Sequence, residues 1–179
     1  MCDGVSIVAV AEAHGTPLYC YSADTIRDNY HRYATHFGAA DALVCFAVKA
    51  NSNQSVIRLL GEMGAGADVV SGGELRRALA AGIPADRIVF SGVAKTAGEM
   101  AFALENDIFQ FNVESEPELE RLNEVAVGLG RRAPVAFRLN PDIDARTHEK
   151  ITTGKAANKF GIPSSRASEV YARAAELPG

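Results

Sequence analysis

Residues 42–51 read Ala42-Leu43-Val44-Cys45-Phe46-Ala47-Val48-Lys49-Ala50-Asn51: seven apolar side chains in a row, then an amine. An unbroken apolar run closed by polar residues has the signature of a parallel strand covered on both faces. Leu43 to Val48 is the expected strand, and Lys49 falls at its C-terminal mouth. An ammonium there is either costly or useful. Two uses are open: it can snorkel to the rim and pair with a carboxylate such as Asp68, or serve as a nucleophile that holds an aldehyde cofactor covalently.

Outward from this stretch the same beat repeats. Apolar runs follow at Ala67 to Val70, Ile88 to Phe90, Ile108 to Val113 and Val135 to Leu139, with ends spaced by roughly 20–27 residues, the length of a βα unit with its loops. Between them, Ser55 to Met63 carries Val56, Ile57, Leu59, Leu60 and Met63 at helical spacing and stops at Gly64. Helices are likewise expected over Gly73 to Ala81, Thr96 to Glu105, Glu116 to Leu129 and Ser165 to Glu176. Ser71 with Glu74, Thr96 with Glu99 and Ser115 with Glu118 have the spacing of reciprocal capping boxes. Before the first strand, Pro17 to Tyr21 reads as extended, and Ser22 caps a helix running to about Phe37.

Five β-then-α units in unchanged rhythm suit an α/β fold of the (β/α)8 TIM-barrel type better than a doubly wound sheet. The loop after the first strand, Lys49-Ala50-Asn51-Ser52, lacks the glycines of a dinucleotide fingerprint, and Gly92-Val93-Ala94-Lys95-Thr96 lacks those of a P-loop. A whole barrel takes ~250 residues, so the 179 here are expected to be a partial barrel of about five strands. A sixth strand is expected where the chain stops, at Leu177-Pro178-Gly179. The division expected is residues 1–40 as an N-terminal extended segment and helix, and 41–179 as the partial barrel. Unclosed sheet edges lead us to expect a chain that is inactive and marginally folded by itself.

With a net charge of -4 and scattered basic residues, nucleic acid is not an expected partner. No apolar run reaches the roughly 20 residues of a membrane span, and Met1-Cys2-Asp3-Gly4 lacks the basic start of a signal peptide. Cys2, Cys20 and Cys45 show no CxxC spacing, which disfavours a disulfide framework or zinc site and suits the cytoplasm. His14, His31, His36 and His148 form no i, i+4 pair, and no metal site is expected.

Chemistry in a parallel barrel gathers at the C-terminal ends of the strands. Those ends carry Lys49, then Asp68 with Ser71-Gly72-Gly73-Glu74, Ser91-Gly92, Asn112 with Glu114, and Arg138 with Asn140. Asp68 can orient the amine or merely pair with it, and Arg138 can serve a ligand or a rim salt bridge. Glu74 is better explained as a helix cap than as a catalyst, and Glu99, Glu114 and Glu118 are read as structural.

The stretch Phe46-Ala47-Val48-Lys49-Ala50-Asn51 resembles the cofactor-lysine motif of the alanine-racemase-like barrel enzymes that use pyridoxal phosphate. More narrowly, the chain resembles the diaminopimelate decarboxylase family. The matching segments include Gly15-Thr16-Pro17-Leu18-Tyr19, Asp68 through Leu75, Ile88 through Val93, Phe111-Asn112-Val113-Glu114-Ser115-Glu116, and Arg138-Leu139-Asn140-Pro141-Asp142. Thr147-His148 and Thr153-Gly154 through Ile162 complete them.

The resemblance implies that Lys49 binds pyridoxal 5'-phosphate covalently and that Arg138 lies near the cofactor's phenolic oxygen, with Asp68 close to the lysine. It also implies decarboxylation of meso-2,6-diaminopimelate to L-lysine and CO2, a small amino-acid substrate, and a homodimer in the full-length protein. His148 would lie in a loop near the active site, or in solvent; Lys159 is read as structural. The family pattern further leads us to expect a ring-stacking histidine, a glycine-rich phosphate loop and a β-rich domain beyond residue 179. An ornithine- or arginine-type decarboxylase, and a barrel that binds pyridoxal phosphate without turnover, are the alternatives.

Overall fold

The computed structural model describes residues 1–38, 40–141 and 160–179. Five parallel strands form one sheet in chain order: β1 (Cys45–Ala47), β2 (Gly66–Val69), β3 (Ile88–Phe90), β4 (Gln110–Val113) and β5 (Val135–Phe137). The helices α3 (Gln54–Glu62), α4 (Gly72–Ala80), α5 (Ala97–Glu105) and α6 (Glu116–Gly128) make the crossovers. An order of 1-2-3-4-5 without reversal is the winding of a barrel; a doubly wound sheet changes direction at a switch point.

The strands are shorter than their apolar runs. β1 pairs only over Cys45–Ala47, after which Val48–Ala50 tightens into a 3-10 turn that carries Lys49. β5 ends at Phe137, and Leu139–Asn140 (β6) pairs separately with Ile162–Pro163 (β7). The final helix, α7 (Ala167–Glu176), starts two residues later than expected because Ser164–Arg166 forms a 3-10 turn.

Among the described residues, only one face of the strands is fully buried, where the sequence led us to expect burial on both. Ala67, Val69, Ile88, Phe90, Phe111 and Val113 are fully buried on one face, beneath helical stripes such as Leu75 and Ala78 of α4, Met100 and Ala103 of α5, and Leu119 and Leu122 of α6. The Phe90 and Phe111 rings stack there at 6.1 Å, each worth about 1.5–3 kcal/mol of burial. The alternate residues Asp68, Val89, Gln110 and Asn112 are only half-buried. Successive side chains of a strand point to opposite faces, so one face is greasy core and the other is largely polar.

Each crossover helix begins on a side-chain cap, but one of the three expected capping boxes is reciprocal. Thr96 accepts from Glu99 N, and Glu99 returns to Thr96 N. At Ser71 and Ser115 the cap hydroxyl does accept from residue N3. The glutamate, however, reaches one residue further back, to Val70 N at 2.9 Å and Glu114 N at 3.1 Å. Both serines have φ -157, against -81 at Thr96. Rotation about that bond turns the serine N–H away and presents the preceding one.

Two helices precede the sheet: α1 (Ile7–His14), for which the sequence raised no expectation, and α2 (Ala23–Thr35), as expected from Ser22. The Asp3 carboxylate accepts from Ser22 Oγ at 2.5 Å and Ala23 N at 2.6 Å, holding the chain start on the α2 N-terminus. The Ser22 hydroxyl is the main cause of its acidity being raised, that is, of a pKa below the usual carboxylate value. At the other end, Arg173 of α7 grips Glu120 of α6 with two nitrogens at 2.7 and 3.0 Å.

Candidate cofactor-binding site

Parity also builds the site. Ala47, Asp68 and Val70, Val89 and Ser91, Gln110, Asn112 and Glu114, and Ala136 and Arg138 share the parity of the face opposite the helices, and the 3-10 turn at the end of β1 carries Lys49. At the C-terminal ends of the strands this face surrounds a cavity of about 540 Å³, with Lys49, Asp68, Ser91, Asn112, Glu114 and Arg138 in its wall. Lys49, Asp68 and Arg138 are thus brought to one place.

A hydrogen-bond ladder crosses three strands within this wall. Gln110 Nε2 donates to Asn112 Oδ1 at 2.8 Å, Asn112 Nδ2 to Ser91 Oγ at 2.9 Å, and Ser91 Oγ to Asp68 Oδ1 at 2.5 Å. The register that sets Asp68 opposite Val89, and Val89 opposite Gln110, aligns the rungs. Asp68 is therefore held by a hydroxyl from β3's end; among the described residues no ion pair joins it to Lys49. Lys49 is exposed to the cavity and takes no hydrogen-bond partner there among the described residues. Among the described residues, the rim salt bridge that was one open reading of Lys49 is not formed.

Arg138 does make an ion pair, with Glu114 at 3.0 Å, and its guanidinium lies 5.2 Å from the Phe160 ring centroid. Glu114 is 4% exposed. Its other oxygen accepts from Gly92 N at 2.8 Å. Glu114, read from the sequence as structural, also lines the cavity and grips a candidate site residue. The signal was available, since Glu114 continues the parity of Gln110 and Asn112. Glu74 has the capping role expected of it, on the backbone of Val70. His148 and Lys159 lie outside the described residues.

Behind this wall sits Lys95, the residue that gave Gly92-Val93-Ala94-Lys95-Thr96 its faint look of a phosphate loop. Its side chain is fully buried and its amine donates to Gly92 O (2.7 Å), Asn112 O (2.9 Å) and Glu118 Oε1 (2.6 Å). Three donors meet three acceptors, so this lysine is a brace. Gly92 itself sits at φ +99, a conformation that disfavours any side chain, and it leaves the cavity wall bare at that point.

Residues 23–179 match the family described as pyridoxal-dependent decarboxylase, pyridoxal binding domain. The chain belongs to this family. Diaminopimelate decarboxylase of Pseudomonas aeruginosa is 54% identical over 175 residues, spanning 98% of this chain and 42% of that protein. That of Neisseria meningitidis serogroup B is 50% identical over 177 residues, 99% of this chain and 43% of that protein. Among solved structures, diaminopimelate decarboxylase from Helicobacter pylori complexed with L-lysine superposes with a TM-score of 0.93 at 43% identity, covering 97% of this chain and 44% of that one. The chain therefore spans well under half the length of the relatives it matches.

These pyridoxal-dependent decarboxylase relatives bear out the barrel: the winding found here is that of the first part of theirs. The family's cofactor is pyridoxal phosphate, and the donor set fits it. An amine without an ion-pair partner among the described residues suits an aldehyde carbon, a guanidinium suits an anionic oxygen, and a wall with a bare glycine admits a flat ring. Among the described residues, no helix is long and apolar enough to cross a membrane.

Proposed function

We propose that this chain is the cofactor-anchoring part of a pyridoxal-phosphate-dependent carboxy-lyase that converts meso-2,6-diaminopimelate to L-lysine and CO2. The observation that carries the reading is the Lys49 amine, unpaired among the described residues, sharing one cavity with Asp68 and Arg138. Relatives of about 50% identity bear the name diaminopimelate decarboxylase, and one homologous structure holds L-lysine, the product of that reaction.

In this reading Lys49 Nζ is the nucleophile that bonds the cofactor. Bound pyridoxal phosphate supplies the electron sink for the carbon–carboxylate bond that breaks. Asp68, which accepts from the Ser91 hydroxyl, orients the lysine amine, and Arg138 places a positive charge at the cofactor's phenolic oxygen. Residues 1–40 form an N-terminal segment and 41–179 the pyridoxal-phosphate-binding part. The full-length protein is a cytoplasmic homodimer, and these 179 residues alone have no turnover.

Borohydride reduction of the full-length protein with its cofactor is expected to add the cofactor's mass to the peptide containing Lys49, and Lys49→Ala to abolish both that mass and the visible absorbance. A reducible adduct that survives in Lys49→Ala would refute the anchoring role. Faster turnover of ornithine than of diaminopimelate would move the substrate to the ornithine branch of the fold. Cofactor binding without release of CO2 from any diamino acid would favour a non-catalytic binding barrel.

A further inference from the structure

Beyond Lys49, Asp68 and Arg138, one buried carboxylate touches the cavity and has no role in the reaction as described. Glu114 is nearly inaccessible, while the Arg138 side chain it holds is 42% exposed. An arginine half in water has many rotamers, and fixing it costs side-chain entropy. Glu114 offsets that cost from a rigid base. Its backbone N–H is held by Glu118 Oε2 at 3.1 Å, and Glu118 is itself braced by buried Lys95 at 2.6 Å. The two carboxylate oxygens then divide their work, one on Gly92 N and one on Arg138. The guanidinium also lies over the Phe160 ring, 5.2 Å from its centroid.

We propose that Glu114 is a positioning residue that holds Arg138 at the cavity, and so sets the positive charge that a bound pyridoxal phosphate meets. This rests on the function proposed above for Lys49 and Arg138. The charge balance gives it a signature. If Arg138 stayed in place without Glu114, deleting the carboxylate would leave the cavity more positive. If Arg138 depends on Glu114, the deletion releases the guanidinium to solvent and the cavity becomes less positive. The two cases move the cofactor's own protonation in opposite directions.

The experiment is a pH titration of the visible absorbance of the full-length, cofactor-loaded protein, with borohydride trapping to count Lys49 adducts. Glu114→Gln is expected to retain the adduct and raise the titration midpoint by about half to one pH unit, in line with loss of a nearby cation. Arg138→Gln should raise it further. Added to Arg138→Gln, Glu114→Gln should lower the midpoint, because only a negative charge is then removed. A downward or absent shift in Glu114→Gln with the adduct intact overturns this inference alone. Absence of an adduct in the wild-type protein overturns the proposed function and this inference together. Should Glu114→Gln fail to fold, Glu114→Asp replaces it. Its shorter carboxylate stays charged but is drawn back from Arg138, so a smaller upward shift supports the proposal and no shift overturns it.

Discussion

Lys95→Met removes one positive charge from a site with no access to water while keeping most of the aliphatic stem. The side chain is fully buried, and its amine satisfies Gly92 O, Asn112 O and Glu118 Oε1 at 2.7, 2.9 and 2.6 Å. Without it, Glu118 (side chain 9% exposed) keeps only Glu114 N as a donor among the described residues. Breaking a buried pair from one side costs about 3–5 kcal/mol. The two carbonyls that lose the amine's hydrogen bonds, and the 5.7 Å contact of the amine with the Phe90 ring, place the expectation near the middle, about 4 kcal/mol. That is a large part of a typical stability of about 5–15 kcal/mol. The assay is urea unfolding of the full-length protein at neutral pH, with Arg121→Ala as control. The Arg121–Glu124 pair is 62% and 63% exposed, and its loss should cost under about 1 kcal/mol. Adding Glu118→Gln to Lys95→Met should recover about 1–3 kcal/mol, since the stranded charge is gone. A loss below about 1 kcal/mol in Lys95→Met, or a double variant equal to the sum of the singles, would refute the brace.

Glu99 accepts from Gly72 N at 2.7 Å and Thr96 N at 3.0 Å, and the Gly72 N–H above all holds its carboxyl below the usual glutamate value. A lowered folded-state value means that the stabilisation is full above about pH 5 and is lost as pH falls through that value. The advantage of wild type over Glu99→Gln in unfolding midpoint should therefore be present at pH 7 and shrink at pH 3; an equal advantage at both pH values would count against it. Gly66→Ala would set a Cβ 2.2 Å from Arg87 O, a backbone atom that can yield only if β2 and β3 separate. A loss of roughly 3 kcal/mol is expected by chemical denaturation, and an unchanged midpoint would show that the strands can part at no cost.

Element type was legible where a local rule decides it. Ser22, Ser71, Thr96 and Ser115 do cap helices, because a short side-chain acceptor two or three residues before the first free N–H is a purely local device. Strand ends were less so: Leu43, Val44, Ile108 and Phe109 are as apolar as their neighbours, and pairing depends on the register of another strand. Reciprocity of the caps failed at Ser71 and Ser115 on a backbone torsion that composition does not reveal. The site was legible at Lys49, Asp68 and Arg138 through strand ends and resemblance. The place of Glu114 beside them could be read from the parity of Gln110 and Asn112, but its bonds to Gly92 N and Arg138 could not, since they depend on what sits opposite at the ends of β3 and β5.

The direction of the ladder in the cavity wall connects fold to chemistry. Gln110 and Asn112 can donate and accept, and so can the Ser91 hydroxyl; a carboxylate only accepts. With Gln110 donating to Asn112, Asn112 to Ser91, and Ser91 to Asp68, these four side chains are linked in one series, and the series must end on the carboxylate. Asp68 Oδ1 is thereby occupied, while Oδ2 takes no hydrogen bond among the described residues and belongs to the wall that also carries Lys49. Strand parity alone could have put apolar side chains at these positions, as it does on the face under the helices. Among the described residues, the series leaves that carboxylate oxygen in the same wall as the Lys49 amine and the partly exposed Arg138 guanidinium, where an incoming ligand can meet all three.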